Sequence, residues 1–428
     1  MVICACATPW GQGALSVVRV SGAGTGDVVA RVAGRLPPPR RASVRSVHDS
    51  RGVFDEAVVT WFPGPATYTG EDLAEISCHG NPVIVERLLA ALCAAGARPA
   101  SAGEFTRRAL VSGRIDLIRA ESILTTIEAT SHRGLSVARA MDGRLRGAID
   151  ALRSAVLDVC AELEADLDYP GEFESLGLEV RLTAIVRRAE ALEQTFQSAR
   201  YAVEGARVVL VGPVNSGKSS LFNALLGHKR ALVSANAGTT RDVVDAHLQL
   251  VELRILLSDT AGERETADPI ETEGQLAAAA CAAAADLLVL VRRGDVAQPP
   301  PTPPPGRRHL VVYTHQDLGS VDLPQGALSV SSVSGAGLQE LKMEMVRALS
   351  KGDLAETDEV LATDRQRTCL RSFIASLETA VEAHEAAAGP AVVVEQVYGA
   401  LRALDELSGR DTREEVLDRL FARFCIGK

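Results

Sequence analysis

The chain has 428 residues, of which 46% are hydrophobic, and its formal net charge is −10. That length supports two or three domains with cores of their own, and the acidic balance argues against a protein that coats nucleic acid. No apolar run is long enough to span a membrane, and the first ten residues lack the pattern of a secretory signal or a transit peptide, so we expect a cytoplasmic protein. The eight cysteines lack the paired spacing of a zinc site and are expected to be reduced.

Residues 1–118 have the pattern of a separate α+β domain. Residues 14–20 and 58–62 are strand-like, and residues 84–94 form an apolar helical run. Four arginines near the end of this region are Arg107, Arg108, Arg114 and Arg119. They form either a local basic patch or the solvated face of a helix, and the pattern leaves both interpretations open.

Residues 119–203 have apolar side chains at helical spacing and no strand-like alternation. One apolar face repeats every 3.6 residues or so and consists of Leu182, Ile185, Val186, Ala189, Leu192 and Phe196. Residues 351–428 are also helical in pattern. A helical tail of that length needs a surface to pack on, so we expect the two flanks to form one discontinuous helical domain, with residues 204–350 inserted between them.

Residues 212–219 read Gly-Pro-Val-Asn-Ser-Gly-Lys-Ser, a complete G-x-x-x-x-G-K-[ST] phosphate loop. The loop lies between an apolar run at 208–211 and a helix-like run at 220–226. Its glycines let backbone N–H groups surround phosphate oxygens, Lys218 neutralises charge on the β- and γ-phosphates, and Ser219 offers a hydroxyl to Mg²⁺. A glycine-rich turn that contains Lys-Ser by chance is the weaker alternative, and the sequence predicts a nucleoside triphosphate site.

After the loop, strand-like and helical segments alternate, as an open parallel sheet requires. The strand-like runs are residues 253–257, 286–291, 310–313 and 327–330. Asp259, in Asp-Thr-Ala-Gly, can hold Mg²⁺ through water, and the Gly262 N–H can sense a γ-phosphate. Thr240, in Gly-Thr-Thr-Arg-Asp, can close onto Mg²⁺ only while that phosphate is present. These elements predict a Ras-like switch GTPase rather than a kinase or an ordinary ATPase.

The guanine-reading element [NT]-K-x-D is expected after a later strand, and here it reads Thr314-His315-Gln316-Asp317. Asp317 can accept both hydrogen bonds from the N1–H and N2–H₂ edge of guanine, which adenine does not offer. His315 replaces the usual lysine, whose stem packs on the base. Ser331 and Ser332 fall where GTPases place a loop beneath the base. The pattern indicates a preference for guanine.

Six further segments carry a family resemblance. They are 7–9 (Ala-Thr-Pro), 17–22 (Val-Val-Arg-Val-Ser-Gly), 68–72 (Tyr-Thr-Gly-Glu-Asp), 75–80 (Glu-Ile-Ser-Cys-His-Gly), 103–109 (Gly-Glu-Phe-Thr-Arg-Arg-Ala) and 424–428 (Phe-Cys-Ile-Gly-Lys). With the inserted GTPase pattern between them, they occur in the order typical of one family. Over its whole length the chain resembles the tRNA modification GTPases called MnmE or TrmE.

The resemblance implies a multidomain fold: an α+β N-terminal domain that binds folate and dimerises, an all-α helical domain, and an inserted α/β P-loop GTPase domain. It also implies work on tRNA with MnmG (GidA), a flavoprotein partner that carries FAD, in a heterotetramer or larger complex. Together such proteins add an aminomethyl or carboxymethylaminomethyl group to C5 of the wobble uridine U34. The one-carbon unit comes from 5,10-methylene- or 5-formyl-tetrahydrofolate. The family's folate-contacting positions fall on Arg19, Glu75, Arg114, where lysine is common, and Lys428.

By the same resemblance, the GTPase domains of a homodimer meet, and K⁺ supplies the charge that an arginine finger gives elsewhere. The implied K⁺ positions are Asn215, Ser234, Asn236 and Thr239, and those for Mg²⁺ are Ser219 and Thr240. The water-positioning glutamate falls on Glu271, with Glu263 as a competitor. The GTP-binding positions are Asn215, Ser216, Gly217, Lys218, Ser219, Ser220, Ser234, Ala235, Asn236, Ala237, Gly238, Thr239, Thr240, Asp259, Thr260, Ala261, Gly262, Thr314, His315, Asp317, Ser331 and Ser332.

Cys425, in the terminal Cys-Ile-Gly-Lys, is a candidate for the modification chemistry, although a cysteine between Phe424 and Ile426 is equally consistent with packing. A helical stripe could anchor the tail: Leu417, Leu420, Phe421 and Phe424.

Two other functions are alternatives. A ribosome-assembly or translation GTPase would carry an RNA-binding appendage in place of residues 1–118. A folate-binding scaffold with a decayed GTPase is supported only by His315 and Glu263, and the intact phosphate loop argues against it.

Overall fold

The computed structural model describes residues 1–169, 177–227, 244–250, 253–259, 279–296, 301–319, 324–349 and 359–428. The chain divides into two compact units. The first unit comprises Met1–Leu124 and Tyr398–Lys428, and the second is Thr125–Val397. Within the described ranges, no helix is both long enough and apolar enough to cross a membrane.

A six-stranded sheet forms the centre of the first unit. Its strands are β1 (Ile3–Cys6), β2 (Leu15–Ser21), β3 (Ser43–Asp49), β4 (Gly52–Phe62), β5 (Leu73–His79) and β6 (Arg98–Pro99). The spatial order is β3-β4-β5-β2-β1-β6, and neighbours are antiparallel except for β1 and β6. The strand-like runs at residues 14–20 and 58–62 lie in β2 and β4, so both strand predictions are confirmed.

Two helices pack on one face of this sheet, namely α1 (Thr25–Ala33) and α2 (Pro82–Ala94). Helix α2 begins where Asn81 Oδ1 accepts a hydrogen bond from Val83 N and proline occupies the first turn, which is a favourable helix start. The apolar side chains of both helices meet alternate residues of the strands in a core that includes Val18, Val20, Val29, Ile76, Leu88 and Leu92. Burial of this face stabilises the unit.

The remaining helices of the first unit are α3 (Glu104–Val111), α4 (Leu117–Glu128), which extends beyond the unit, and the last helix of the chain, α13 (Glu414–Phe421). Phe105 of α3 packs with Ile3 and Ala5 of β1. A second cluster joins α4 to the end of the chain through Ala120, Leu124, Leu417, Leu420, Phe421 and Phe424. The predicted anchoring stripe of the tail is therefore confirmed.

The second unit contains a group of helices: α5 (His132–Ala140), a π-helical turn (Met141–Leu145), α6 (Arg146–Asp168), α7 (Leu178–Gln194), α8 (Phe196–Glu204), α11 (Asp364–Glu385) and α12 (Pro390–Ser408), the last of which continues into the first unit. Helix α7 packs against α11, and Glu193 Oε1 accepts hydrogen bonds from Arg367 Nε at 2.6 Å and Arg371 Nε at 2.9 Å. Segments on either side of residues 204–350 thus meet. The predicted single helical face was wrong in one detail, because α7 ends at Gln194 and Phe196 begins the next helix.

A second six-stranded sheet lies in the same unit. Its strands are β7 (Ala206–Val211), β8 (Val244–Leu250), β9 (Leu253–Asp259), β10 (Leu287–Arg293), β11 (His309–Thr314) and β12 (Leu328–Ser329), in the order β12-β11-β10-β7-β9-β8. Neighbours are parallel except for the edge strand β8, which the sequence analysis did not identify. Helices α9 (Lys218–Leu226) and α10 (Leu338–Leu349) contribute to its core. The predicted parallel sheet is confirmed, with one antiparallel edge.

Candidate functional site

The phosphate loop joins the end of β7 to the start of α9 in the second unit. Gly212 passes so close to β10 that an added Cβ would lie 2.3 Å from Val291 O, a distance that excludes any side chain. Asn215 (φ 61°) and Gly217 (φ 88°) are left-handed, which asparagine and glycine tolerate best. Helix α9 begins immediately afterwards at Lys218. The positive dipole end of the helix therefore adjoins the loop, as phosphate binding requires.

Lys218 is buried, and its position is fixed by the loop itself. Nζ donates hydrogen bonds to Gly212 O and Pro213 O, each at 2.9 Å. The two backbone carbonyls hold the ammonium group within the loop. Preorganised charge of this kind is what stabilises phosphate oxygens most effectively.

Asp259 is the last residue of β9 and pairs in register with Leu210 of β7. Burial raises the pKa of its carboxyl group, while a hydrogen bond from Ser219 and the charge of Lys218 act in the opposite direction. Among the described residues, neither Asp259 Oδ1 nor the buried Ser216 Oγ has a hydrogen-bond partner. Mg²⁺ binds oxygen ligands through one or two protein groups together with phosphates. The Ser219 hydroxyl and the Asp259 carboxylate fit that ion.

The base-reading segment follows β11 at the same edge of the sheet. Thr314 Oγ1 lies 2.7 Å from Ser216 O, so a hydrogen bond links this segment to the phosphate loop. Asp317 is exposed, and Ser331 Oγ donates to its Oδ1 at 2.6 Å. That hydrogen bond lowers the pKa of Asp317. Ser331 Oγ in turn accepts from the N–H groups of Val333 and Ser334. The carboxylate stays ionised and presents its acceptors, as recognition of the guanine edge requires.

Several predicted positions lie outside the described residues. These are the loop positions Ser234, Ala235, Asn236, Ala237, Gly238, Thr239 and Thr240, together with Thr260, Ala261, Gly262, Glu263 and Glu271. Of the predicted nucleotide-site residues that are described, those of the phosphate loop, Asp259 and the segment from Thr314 to Ser332 all lie at the carboxyl ends of β7, β9, β11 and β12. Ligands bind at this edge in open parallel sheets.

In the first unit, Arg19 of β2 and Glu75 of β5 are direct partners across the antiparallel ladder. Arg19 donates from Nε and Nη2 to Glu75 Oε1, at 3.1 and 2.8 Å. The guanidinium carbon lies 5.8 Å from the centre of the Tyr68 ring and 5.9 Å from that of Phe105. Ring faces and a carboxylate thus hold the arginine in one orientation.

The end of the chain reaches the same place. Arg19 Nη1 is 3.5 Å from Gly427 O, and Phe105 N donates to Lys428 O at 3.1 Å. Gly427 (φ 98°) lies against β1, where an added Cβ would be 2.3 Å from Cys6 O. Cys425 is exposed and carries a free thiol. These contacts fix the position of the tail and place Lys428 next to the Arg19–Glu75 pair.

Arg114 also approaches this region. Its Nε donates to Thr67 O at 3.0 Å, next to Tyr68, the residue whose ring adjoins Arg19. The four positions that the family resemblance singled out, at 19, 75, 114 and 428, thus lie around one part of the first unit. Tyr68, whose hydroxyl lies 2.8 Å from Thr106 Oγ1, was not among the predicted site residues. A tyrosine in a glycine-rich segment between two strands was the available signal.

Arg107 and Arg108, from the cluster of four arginines, are engaged in ion pairs. Arg107 pairs with Glu414 and Asp418 of α13. Arg108 pairs with Glu71 and Glu104, and Glu104 also accepts from Arg98 at 2.6 Å. These contacts favour a structural role over an open basic patch. The network fixes α3, whose Phe105 adjoins Arg19.

Comparison with known families gives two matches. A model described as the GTP-binding protein TrmE N-terminus matches residues 2–114, and a model of the MnmE helical domain matches residues 117–425. Among known proteins, the chain is similar to the tRNA modification GTPase MnmE of Thermus thermophilus, with 43% identity across 100% of this chain and 99% of the relative. It is 40% identical to the protein of that name from Methylobacterium radiotolerans, across 99% of this chain and 98% of the relative.

Among solved structures, the chain is similar to the G domain of the FeoB iron transporter of T. maritima. The match has 24% identity, covers 33% of this chain and 98% of the other, and has a TM-score of 0.26. A score this low says nothing about function.

Proposed function

This chain belongs to the MnmE family of tRNA modification GTPases, and we propose that it modifies C5 of the wobble uridine U34 in tRNA. It acts in the cytoplasm as a homodimer with MnmG, a flavoprotein that carries FAD. The product carries an aminomethyl or carboxymethylaminomethyl group. The observation that carries the proposal is the convergence of Arg19, Glu75 and the 424–428 tail on one place, because that set has the chemistry of a folate site.

The chemistry of the folate site follows from its donors and acceptors. The pterin ring of a tetrahydrofolate has an N–H next to an amino group, the same edge that guanine presents, and a carboxylate accepts from both. Glu75 supplies that carboxylate, and Arg19 fixes its orientation by two hydrogen bonds. Arg114 and Lys428 add positive charge for the acidic glutamate end of the cofactor. Bound 5,10-methylene- or 5-formyl-tetrahydrofolate supplies the one-carbon unit.

Cys425 is the proposed chemical group of the tail. Its thiol is exposed, and the tail that carries it is held to α3 and β1 by Phe105, Gly427 and Lys428. A fixed, accessible thiol near the cofactor can act on the one-carbon unit or on the uridine.

In the nucleotide site, Lys218 binds phosphate oxygens. Ser219 and Thr240 would hold Mg²⁺ directly, and Asp259 would hold it through water. Bound Mg²⁺ neutralises charge on the phosphates. Asp317 selects guanine. Glu271 aligns the attacking water, and Asn215, Ser234, Asn236 and Thr239 hold K⁺ when two GTPase domains meet. Hydrolysis then gates the rearrangement that brings the folate site, the flavoprotein and the uridine together.

Three domains divide this work. Residues 1–118 form the folate-binding and dimerisation domain, residues 119–203 with 351–428 form the helical domain, and residues 204–350 form the GTPase domain. The packing of α7 on α11 supports the discontinuous helical domain. The second sheet with its own core supports the GTPase domain, although the compact units group it with the helices.

Folate binding tests the first site. Tetrahydrofolate binding is measured by calorimetry for the wild type, Arg19→Met and Arg45→Met, the last a half-buried arginine of β3 in the same sheet. We expect Arg19→Met to weaken binding more than about tenfold, because Glu75 loses its positioning partner, and Arg45→Met to bind like the wild type. Equal tetrahydrofolate affinity in the two variants would show that Arg19 and Glu75 are not part of the folate site.

GTP turnover tests the second site. It is measured with K⁺ exchanged for Na⁺, with ATP as a control, for the wild type, Glu271→Ala and Glu263→Ala. Fast turnover only with GTP and K⁺, lost in Glu271→Ala alone, is the expected result. If turnover does not depend on K⁺ or on Glu271 but is lost in Glu263→Ala, the catalytic role belongs to Glu263 instead.

A further inference from the structure

His315 has a defined place against the phosphate loop. Its backbone is left-handed (φ 63°), a conformation that histidine adopts more readily than most residues. A Cβ added at Gly217 would lie 3.1 Å from His315 Cε1, so the half-buried imidazole touches the turn that precedes α9. One side chain of the base-reading segment therefore adjoins the loop that binds phosphate.

The hydrogen bonds around Thr314 determine which ring nitrogen can titrate. Thr314 Oγ1 lies 2.7 Å from Ser216 O, 3.2 Å from Arg292 O and 2.8 Å from His315 Nδ1. The two carbonyls can only accept, so the single hydroxyl proton points to one of them. The hydroxyl oxygen must then accept from Nδ1–H. In this arrangement Nδ1 carries a proton, and Nε2 is the ring nitrogen that remains to accept another.

Charged groups approach the imidazole from three elements among the described residues. Asp295 and Arg293 lie at the end of β10 and pair with each other at 2.6 Å. Asp317 lies in the same segment as His315, and Lys218 lies in the phosphate loop. Arg293 holds the pKa of Asp295 at about 2, and Ser331 lowers the pKa of Asp317, so both carboxylates are ionised at neutral pH. The two carboxylates attract positive charge at this position, whereas Lys218 and Arg293 repel it.

We propose that His315 makes guanine-nucleotide affinity depend on pH, because protonation of its Nε2 adds a positive charge beside the phosphate loop. A lysine at this position would be charged throughout the physiological range, and a histidine is charged only below about pH 6.5 when unperturbed. A bound diphosphate is a polyanion and stabilises the imidazolium, so affinity rises as pH falls. The inference rests on the proposed nucleotide site.

The test is the dissociation constant of GDP, which avoids turnover, at pH 6, 7 and 8. Wild type, His315→Gln and His315→Lys are compared by fluorescence titration, with His309→Gln as a matched control at the exposed start of β11. The phosphates of free GDP also titrate, but free GDP is the same in every experiment. Comparison between variants therefore removes this contribution. Relative to His315→Gln, we expect the wild type to gain about threefold to tenfold in affinity from pH 8 to pH 6.

His315→Lys is expected to bind GDP more tightly than the wild type at pH 8. Its affinity is expected to change with pH in the same way as that of His315→Gln. His309→Gln is expected to keep the wild-type profile. Parallel profiles for the wild type and the non-titrating variants would overturn the inference, and His315→Lys serves as the reference if His315→Gln does not fold. Absence of GDP binding by the wild type at every pH would instead contradict the nucleotide site itself.

Discussion

Asp317 and Glu75 are two carboxylates proposed to read the same chemical edge in two different units. Asp317 is exposed and is positioned by Ser331, 14 residues away. Glu75 is positioned by Arg19, 56 residues away, and the carbonyl that contacts Arg19 comes from Gly427, 408 residues away. The nucleotide site is assembled from short motifs at strand ends. The proposed folate site forms only after distant strands and the tail have come together.

This difference predicts how each site fails. Substitutions in the nucleotide site remove a contact with the ligand and leave the fold in place, because backbone geometry holds the loop. Substitutions in the first unit act through ion pairs and close packing, so they change stability and ligand affinity together.

The largest effect is expected for Lys218→Ala. The buried ammonium is the charge that the loop holds for phosphate, so GTP turnover should fall more than about a hundredfold. Lys342→Ala, on α10, is the control and should keep wild-type turnover. Turnover is measured as phosphate release, and a decrease of less than about tenfold would contradict the role of the loop.

Asp317→Asn should change the base preference from guanine to xanthine. An amide can donate where the carboxylate only accepts, so the variant should lose about a hundredfold in affinity for GDP and gain affinity for xanthosine diphosphate. Competition between the two nucleotides measures the exchange. Equal loss for both would indicate that the segment has unfolded rather than changed its preference.

Glu104→Gln tests the ion pairs of the first unit. Burial alone would raise the pKa of Glu104, but hydrogen bonds from Arg98, Ser101 N and Arg108 outweigh it and hold the pKa at about 2, below the ordinary 4.5. The ionised form therefore stabilises the fold fully above about pH 4.5, and the effect disappears as pH falls toward 2. At pH 7 the variant should lose about 2 kcal/mol.

Urea unfolding measures this loss, because both tryptophans, Trp10 and Trp61, lie in the first unit. The difference from the wild type should narrow as pH falls below about 4.5. Glu86→Gln, an exposed glutamate of α2, should unfold like the wild type at each pH. A loss that is constant from pH 7 to pH 3 would assign the effect to packing rather than to charge.

Gly427→Ala should have the smallest effect. A methyl group 2.3 Å from Cys6 O moves the tail, so tetrahydrofolate affinity should fall about tenfold while GTP turnover is retained. Gly96→Ala is the matched control, because Gly96 also has positive φ (110°) but no atom lies within 4 Å of its added Cβ. Equal effects of the two variants on folate affinity would place the tail outside the folate site.

The sequence was informative where function is local. The phosphate loop, Asp259 and the segment from Thr314 to Asp317 are contiguous motifs, and the strands that carry them are rich in Val, Leu and Ile. The Arg19–Glu75 pair has no local signal, because strand register decides it, and only the family resemblance pointed to it. The contact of His315 with Gly217 and the ion pairs of Glu104 depend on tertiary packing, which periodicity cannot show.

In the proposed function, one chain couples a GTPase site to a separate folate site in modifying U34. The direct measurement is mass spectrometry of nucleosides from tRNA incubated with GTP, a tetrahydrofolate, the flavoprotein partner and either the wild type, Arg19→Met or Lys218→Ala. We predict the C5 product with the wild type alone, with GTP turnover kept by Arg19→Met and folate binding kept by Lys218→Ala. Wild-type amounts of product from Arg19→Met would contradict the account.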